Sequence, residues 1–308
     1  METVDVIIPV YKPERGFLTL MEKLQAQTVP VRRIILMNTE QKYLDRLLYG
    51  TTLEREHHNI TVKHLSKREF DHGRTRNQGV KLSDADVFLM MTQDAIPADE
   101  YLVERLLEGL RGEKVAAAYA RQLPGRDSSE AERYTRQFNY PDESRVKTKA
   151  DLPVLGIKTF FCSNVCAAYR RDIFDSLGGF VNRAIFNEDM LYAAKAVEAG
   201  YGIAYAAQAK VYHSHNYTYR QQFHRNFDLG VSQADHPEVF AKYPSESEGI
   251  RLVKSTAAHL REKKMCSKIP GVIIQSGFKY MGYLLGKQYR RLPGRLVVAF
   301  SSNKAYWR

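Results

Sequence analysis

Cysteine and tryptophan are scarce, with three and one among 308 residues. Cys162, Cys166 and Cys266 are odd in number and lack paired zinc-ligand spacing, which excludes a disulfide framework and a structural zinc site and leaves buried free thiols as the expectation. No stretch approaches the roughly 18 uninterrupted apolar residues of a spanning helix. The start METVDVIIPV has no basic segment followed by an apolar core and cleavage site, so the chain is expected to stay in the compartment where it is made. A GxGxxG after the first apolar run and a GxxxxGK[ST] are both missing, which removes the usual support for hydride transfer and for a P-loop. Repeats and low-complexity segments are lacking too.

Acidic residues are few in the last part of the chain. Between Arg251 and Arg308 thirteen Lys or Arg face the single acid Glu262, so this segment carries +12 of a net +11 and the first 250 residues stand at −1. Basicity is therefore a property of the tail. A nucleic-acid-binding protein is only a remote alternative, because it leaves the acidic and histidine blocks described below without a purpose.

What is present is an alternation of β-branched apolar runs with helical patterns, which predicts an α/β fold with a mainly parallel sheet. Strands are expected at Val4–Val10, Arg33–Met37, Ile60–His64, Asp86–Met91, Val115–Tyr119, Ile203–Ala206 and Ala209–Tyr212. Helices are expected at Phe17–Gln25, Thr75–Lys81, Tyr101–Leu110 and from Asn187 to Glu198. Residues 122–159 are polar and carry prolines, and read as a long functional loop. Ligands of such sheets gather at the carboxyl ends of strands. Those ends carry PVYKPE, NTE, SKREFDHGRTRNQG and TQDA.

A transferase that breaks a sugar–diphosphate bond needs positive charge or a divalent cation at the leaving group and a carboxylate to take the acceptor proton. Asp94 after one strand, His213 after another and Glu188-Asp189 at a helix start answer that description. Each has a plain reading as well: Asp94 as a cap near Pro97, the acidic pair as helix-starting residues, His213 as a structural imidazole. His215, on the same face if the segment is extended, is open to metal, phosphate or loop-supporting roles.

IIPVYKPE, FDHGRTRNQGV, VFLMMTQDAIP, FCSNVCAAYRRDIFDSLGGF, FNEDMLYAAKAVEAGY and VYHSHNYTYRQQFHR, in that order, resemble the family 2 glycosyltransferases of the GT-A fold, specifically the bacterial rhamnosyltransferase branch. The resemblance covers about residues 4–230. It implies Asp94 as the metal carboxylate, with His213 and His215 as imidazole candidates, for Mn2+ or Mg2+. It implies Asp189 as catalytic base, with Glu188 as the alternative or an acceptor contact. Pro9, Tyr11, Asp71, Gly73, Arg74, Arg76, Asn77 and Gln93 would surround the nucleotide, the two arginines offering forked donors to phosphate. Ser163 and Asn164 would line the sugar and acceptor side, Asn164 being equally readable as a turn residue, and Arg220 would belong to a flap or simply to an amphipathic helix. Two departures stand out. Thr92 and Ala95 replace acids common in the branch, so the metal would lean on His213, water and the diphosphate, and Asn38-Thr39-Glu40 stands where many relatives have Asp.

The expected organisation is a transferase domain over 1–230, with a nucleotide part to about 121 and an acceptor part over 122–230, followed by a basic helical region over 231–308. In that region Ile274, Phe278, Met281, Leu285 and Leu292 fall at helical spacing among Lys279, Lys287, Arg290 and Arg291. This reads either as a membrane-interface helix or as a helix packed on the body. The resemblance implies an inverting enzyme using dTDP-L-rhamnose and a lipid-linked glycan acceptor, cytoplasmic and peripheral at the inner face of the membrane, with no nucleic acid as partner. A UDP-sugar enzyme, galactofuranosyl or hexosyl, is the nearer alternative.

Overall fold

A computed structural model describes residues 2–52, 58–215, 217–243 and 246–307. In chain order the elements begin β1 (Val4–Tyr11), α1 (Gly16–Gln25), β2 (Arg33–Thr39), α2 (Gln41–Leu48), β3 (Ile60–Leu65), α3 (His72–Lys81), β4 (Val87–Met91) and β5 (Ile96–Pro97). They continue with α4 (Leu102–Gly109), β6 (Val115–Leu123), α5 (Glu130–Asn139), β7 (Arg145–Lys147), α6 (Leu152–Leu155), β8 (Cys166–Arg170), α7 (Arg171–Ser176), α8 (Glu188–Glu198) and β9 (Gly202–Tyr212). The remainder is helical: α9 (Tyr219–Asp235), α10 (Pro237–Phe240), α11 (Glu246–Glu262), α12 (Ile269–Lys287) and α13 (Gly294–Phe300).

Two compact units result. The first comprises Met1–Leu123, Pro141–Arg183 and Glu188–His213; the second comprises Pro124–Tyr140, Ala184–Asn187 and Ser214–Arg308. The division thus differs from a contiguous split at residue 230, because the segment after β6 leaves the sheet to supply α5 to the helical unit.

Among the described residues all the strands belong to the first unit, in the order β3-β2-β1-β4-β8-β6-β9-β5, with β7 also on β9. The pairs β3·β2, β2·β1, β1·β4 and β6·β9 are parallel, while β8 runs antiparallel to both β4 and β6. The carboxyl ends of β1, β2, β3, β4, β6 and β9 consequently lie along one edge, together with the amino end of β8. The fold is a mixed α/β with a mostly parallel sheet flanked by helices, as the sequence predicts. β1 reads as a near-continuous apolar run because residues 4–8 are buried on both faces. Asp5 at its amino end is paired with Arg32 and Arg33 and accepts a 2.7 Å hydrogen bond from Ser83 Oγ, at the sheet edge opposite the one described below.

Several boundaries depart from expectation. β9 is one strand rather than two, because its register against β6 jumps between Ala206 and Lys210 and interrupts the alternation. Residues 122–159 hold α5, β7 and α6 instead of a bare loop. Pro97 sits in β5 and the next helix begins only at Leu102, so Asp94 caps no helix. Cys162 and Cys166 are buried free thiols as expected, but Cys266 is exposed.

In the second unit α12 lies against α9 at very close range. A Cβ on Gly282 would stand 2.3 Å from Phe223 O, one on Gly286 2.1 Å from Phe227 O, and one on Gly230 2.3 Å from Tyr283 O. Tyr283 Oη donates to Gln233 Oε1 at 2.8 Å and Tyr289 Oη to Asp235 Oδ1 at 2.6 Å, which fixes the register of the pair. The packed face of α12 is therefore Gly282, Tyr283 and Gly286, and Ile274 and Met281 of the expected apolar stripe face outward. Among the described residues no helix is long and apolar enough to cross a membrane.

Candidate active site

The sheet edge where six strands end brings the principal candidates together. Asp94 follows β4, His213 follows β9, and His213 Nε2 lies 3.6 Å from Asp94 Oδ1, with the carboxylate 41% exposed and the ring 10%. His213 is held on its other side by Gln122 of β6, whose Oε1 is 3.1 Å from Nδ1. An amide oxygen there selects the tautomer with the proton on Nδ1 and makes Nε2, turned to Asp94, the ligating nitrogen. Gln122 Nε2 in turn donates to Ser163 Oγ at 3.0 Å. Gln122 escaped the sequence reading, since its place beside His213 depends on the register of β6 against β9.

The acidic pair arrives from α8. Asn187 takes a left-handed φ of 62°, and the helix then starts at Glu188. Asn164, just before β8, organises both acids: its backbone N–H donates to Asp189 Oδ2 at 2.9 Å and its Nδ2 to Glu188 Oε1 at 3.0 Å. Tyr169 Oη fixes Asn164 through Oδ1 at 2.8 Å. Thr92 N–H donates to Val165 O at 3.1 Å, so the turn carrying Asp94 and the segment positioning Asp189 are stitched side by side.

The two carboxyls are driven apart in character. Glu188 is held below the usual carboxylate range: burial pushes it up, but the charges of Arg76 and His72 and the Asn164 bond outweigh that. Asp189 is pushed up to about 7 by burial and by the neighbouring Glu188 charge, against the two backbone bonds it accepts. One acid is thus a fixed anion and its neighbour a group able to exchange a proton near neutrality, an arrangement suited to a general base.

The nucleotide set is placed with a different division of labour. Residues 72–77 form the start of α3, which begins three residues earlier than expected because Asp71 caps the helix, accepting from Arg74 N at 2.8 Å. Gly73 is buried within it. Arg76 is 5% exposed; its Nε stands 3.2 Å from Glu188 Oε1 and Nη1 donates to His72 O, so it holds the acid pair. Asn77 is bound to Phe180 through both ends of its amide, and Gln93 clamps Tyr11 likewise, donating to its O and accepting from its N. Arg74 is exposed and donates to Glu69 O at 3.2 Å. Tyr11, at the end of β1 two residues after the half-buried Pro9, meets Tyr43 edge-on at 5.7 Å. The amines of Lys12 and Lys67 lie 5.5 and 5.2 Å from the Tyr11 ring, giving an aromatic and cationic surface at the same sheet edge. Tyr43 and Lys67 were missed in the sequence.

His215 and Arg220 belong to the second unit. The His215 ring lies 4.8 Å from that of Tyr217, and Arg220, in the first turn of α9, contacts His224 at 3.3 Å.

A hard cation in octahedral coordination holds ligands at about 2.1 Å, which sets neighbouring ligand atoms about 3 Å apart. The 3.6 Å between Asp94 and His213 is close to that spacing, and a carboxylate oxygen with an imidazole nitrogen is a donor set that suits a divalent metal. The site fits such an ion without selecting which.

Residues 5–178 match the profile of Glycosyl transferase family 2. The chain belongs to this family. It is 39% identical over 306 residues to the O-antigen chain rhamnosyltransferase RfbN of Salmonella typhimurium, covering 99% of this chain and 96% of that one. With the O-antigen chain rhamnosyltransferase WbaN of Salmonella anatum it shares 38% over 310 residues, covering 100% and 96%. Among solved structures it is similar to the mannosyltransferase PcManGT of Pyrobaculum calidifontis in complex with GDP-Man and Mn2+, at 13% identity and a TM-score of 0.57 over 99% of this chain and 85% of that one. A second is S. aureus TarS 1-349 in complex with UDP-GlcNAc, at 14% and 0.52 over 94% and 91%. These distant likenesses concern the fold, that of the GT-A glycosyltransferases. As a member of family 2 the protein is a glycosyltransferase.

Proposed function

We propose that this glycosyltransferase moves L-rhamnose from dTDP-L-rhamnose, with inversion, onto a hydroxyl of a lipid-linked surface-polysaccharide acceptor. The rhamnosyl specificity rests on the two O-antigen chain relatives, matched along nearly their whole length. The single observation that carries the chemistry is the shared edge on which Asp94, His213, Gln122, Asn164 and Asp189 are linked by hydrogen bonds and close contacts.

Asp94 and His213 would hold Mn2+ or Mg2+, and His215 is the further candidate ligand. A cation there supplies charge neutralisation for the departing diphosphate. Tyr11, Tyr43, Lys12 and Lys67 receive the base and phosphates, and Ser163, Arg74 and Arg220 are the remaining polar groups proposed for donor and acceptor. Asp189 takes the proton of the acceptor hydroxyl as its oxygen forms the new bond to the anomeric carbon and the bond to the diphosphate oxygen breaks. Glu188, ionised against Arg76, keeps the proton affinity of Asp189 high, and Asn164 aims Asp189 through its backbone N–H. The exposed apolar residues of α12, Ile273, Ile274, Tyr280, Met281 and Leu284, with Lys268 before them and Arg290 and Arg291 after, suit peripheral attachment to an anionic membrane.

The test is incubation with a panel of nucleotide sugars, Mn2+ or Mg2+, and lipid-linked acceptors, read by product mass and linkage. Transfer from dTDP-L-rhamnose with inverted anomeric configuration is expected. Preference for a UDP-hexose removes the donor assignment, and full activity of Asp189→Asn removes the mechanism.

A further inference from the structure

The second unit contains a cavity of about 870 Å³ between α5, α9, α11 and α12, within the size range of small-molecule sites and set, as such sites often are, between packed helices. Its walls are apolar beyond what the residue types suggest. Leu252, Val253, Val272 and Tyr283 contribute directly. The hydroxyls of Thr135, Thr256 and Ser276, which also line it, are turned onto carbonyls of their own helices at 2.8, 2.8 and 2.7 Å and present carbon to the chamber. Its acid, Glu132, is paired with Arg136 at 2.9 Å.

Two amines join this lining: Lys254, exposed at the rim, and Lys279, half-buried within. Glu132 acts on Lys279 only at a distance, and burial lowers the affinity of that amine for its proton. Glu132 is itself paired with Arg136, whose charge also opposes that of Lys279, so an anion entering the cavity would favour the charged amine. Part of the mouth is apolar as well. Ile250 is 58% and Tyr280 55% exposed, and Tyr280 continues along α12 into the outward row of Ile273, Ile274, Met281 and Leu284. A chain-like apolar ligand therefore has an apolar side of the rim, at Ile250 and Tyr280, along which to pass from a lipid surface into the cavity, with Lys254 also at the rim.

We propose that this cavity binds a polyprenyl-type lipid phosphate, its chain in the apolar chamber and its phosphate on Lys279 and Lys254. The assignment rests on the reading above that the acceptor is lipid-linked, and it gives recognition of the carrier to residues of the helical unit.

Gly277 and Gly249 give clean filling variants. Both line the cavity, and a Cβ at either meets nothing within 4 Å, so the side chains of Gly277→Leu and Gly249→Leu start from open space at the cavity wall. A glycine replaced inside a helix also favours the helix. The measurement is calorimetric titration of the full chain with farnesyl monophosphate, with farnesol, inorganic phosphate and oleate as parallel arms. Circular dichroism and thermal midpoints verify that the variants fold. Wild type is expected to bind farnesyl monophosphate at least tenfold tighter than farnesol or oleate and not to bind inorganic phosphate. Each filling variant should lose at least tenfold, and Lys279→Met should lower farnesyl monophosphate to the level of farnesol. Unchanged affinity in both filling variants, or oleate binding as tightly as the phosphate, overturns the site. Transfer to lipid-linked acceptors by a wild-type protein that does not bind farnesyl monophosphate overturns this inference alone. Binding in the cavity without any transfer overturns the proposed function and leaves the site standing.

Discussion

Arg76 Nε lies 3.2 Å from Glu188 Oε1, with both side chains about 6% exposed. A guanidinium suited to a phosphate is thereby committed to keeping one acid ionised beside another. Removing it leaves a buried carboxylate uncompensated, which typically costs about 3–5 kcal/mol. Arg76→Met is expected to lower stability in urea by an amount of that order, whereas Arg76→Met combined with Glu188→Gln should recover most of it. Equal losses in the single and double variants would contradict the pairing.

Asp189 sets the pH behaviour. Burial and the Glu188 charge raise it to about 7, so transfer limited by chemistry should increase as pH rises through that value and level off above it. Stability runs the other way. A carboxyl raised above its unfolded value favours the folded state in its protonated form, and that contribution is lost as pH rises toward 7 and past it. Asp189→Asn should therefore be more stable than wild type at pH 8 and nearly equal at pH 4. Its transfer rate should fall about 10²–10⁴-fold with donor binding retained. Rate measurements and thermal melts across pH check both limbs.

Gln122 meets His213 at Nδ1, whereas Asp94 faces Nε2. Outer partners of a metal-binding imidazole commonly contribute 10–100-fold to affinity. Gln122→Leu is expected to weaken Mn2+ binding by a factor in that range, measured by metal titration in the presence of dTDP, and Gln122→Glu to retain it. An unchanged affinity in Gln122→Leu would show that the ring is oriented by something else.

The strands were legible because β-branched runs announce them, and Asp94, His213 and Asp189 because each directly follows or starts an element that pattern reveals. What stayed hidden depends on neighbours across the sheet. Gln122 pairs in register with Val211, two residues before His213, and nothing local to Gln122 announces that partner. Asn164 and Arg76 read as ligand contacts from their chemistry, yet the fold turns both onto Glu188. Helix α5 escaped notice because none of its residues is fully buried and its short apolar stripe, Ala131, Tyr134 and Phe138, is set among charged residues in a proline-flanked polar stretch. In α12 the large residues drew the eye, while the packing face is written in small ones four apart, Gly282 and Gly286.

That face yields a stability prediction confined to the helical unit. A Cβ on Gly286 would stand 2.1 Å from Phe227 O and one on Gly282 2.3 Å from Phe223 O, both backbone atoms that cannot rotate away. Gly286→Val must push α12 off α9 and strain the Tyr283–Gln233 and Tyr289–Asp235 bonds, at a cost of about 2–3 kcal/mol or more. Gly294, the first residue of α13, has nothing within 4 Å of an added Cβ, so Gly294→Ala serves as a control with little effect. Hydrogen exchange should show faster opening of α9 and α12 in Gly286→Val while the amides of β1 and β4 keep their protection. If instead the sheet amides lose protection to the same degree, the two units unfold as one, and the close crossing of α9 and α12 stabilises the whole chain rather than the helical unit by itself.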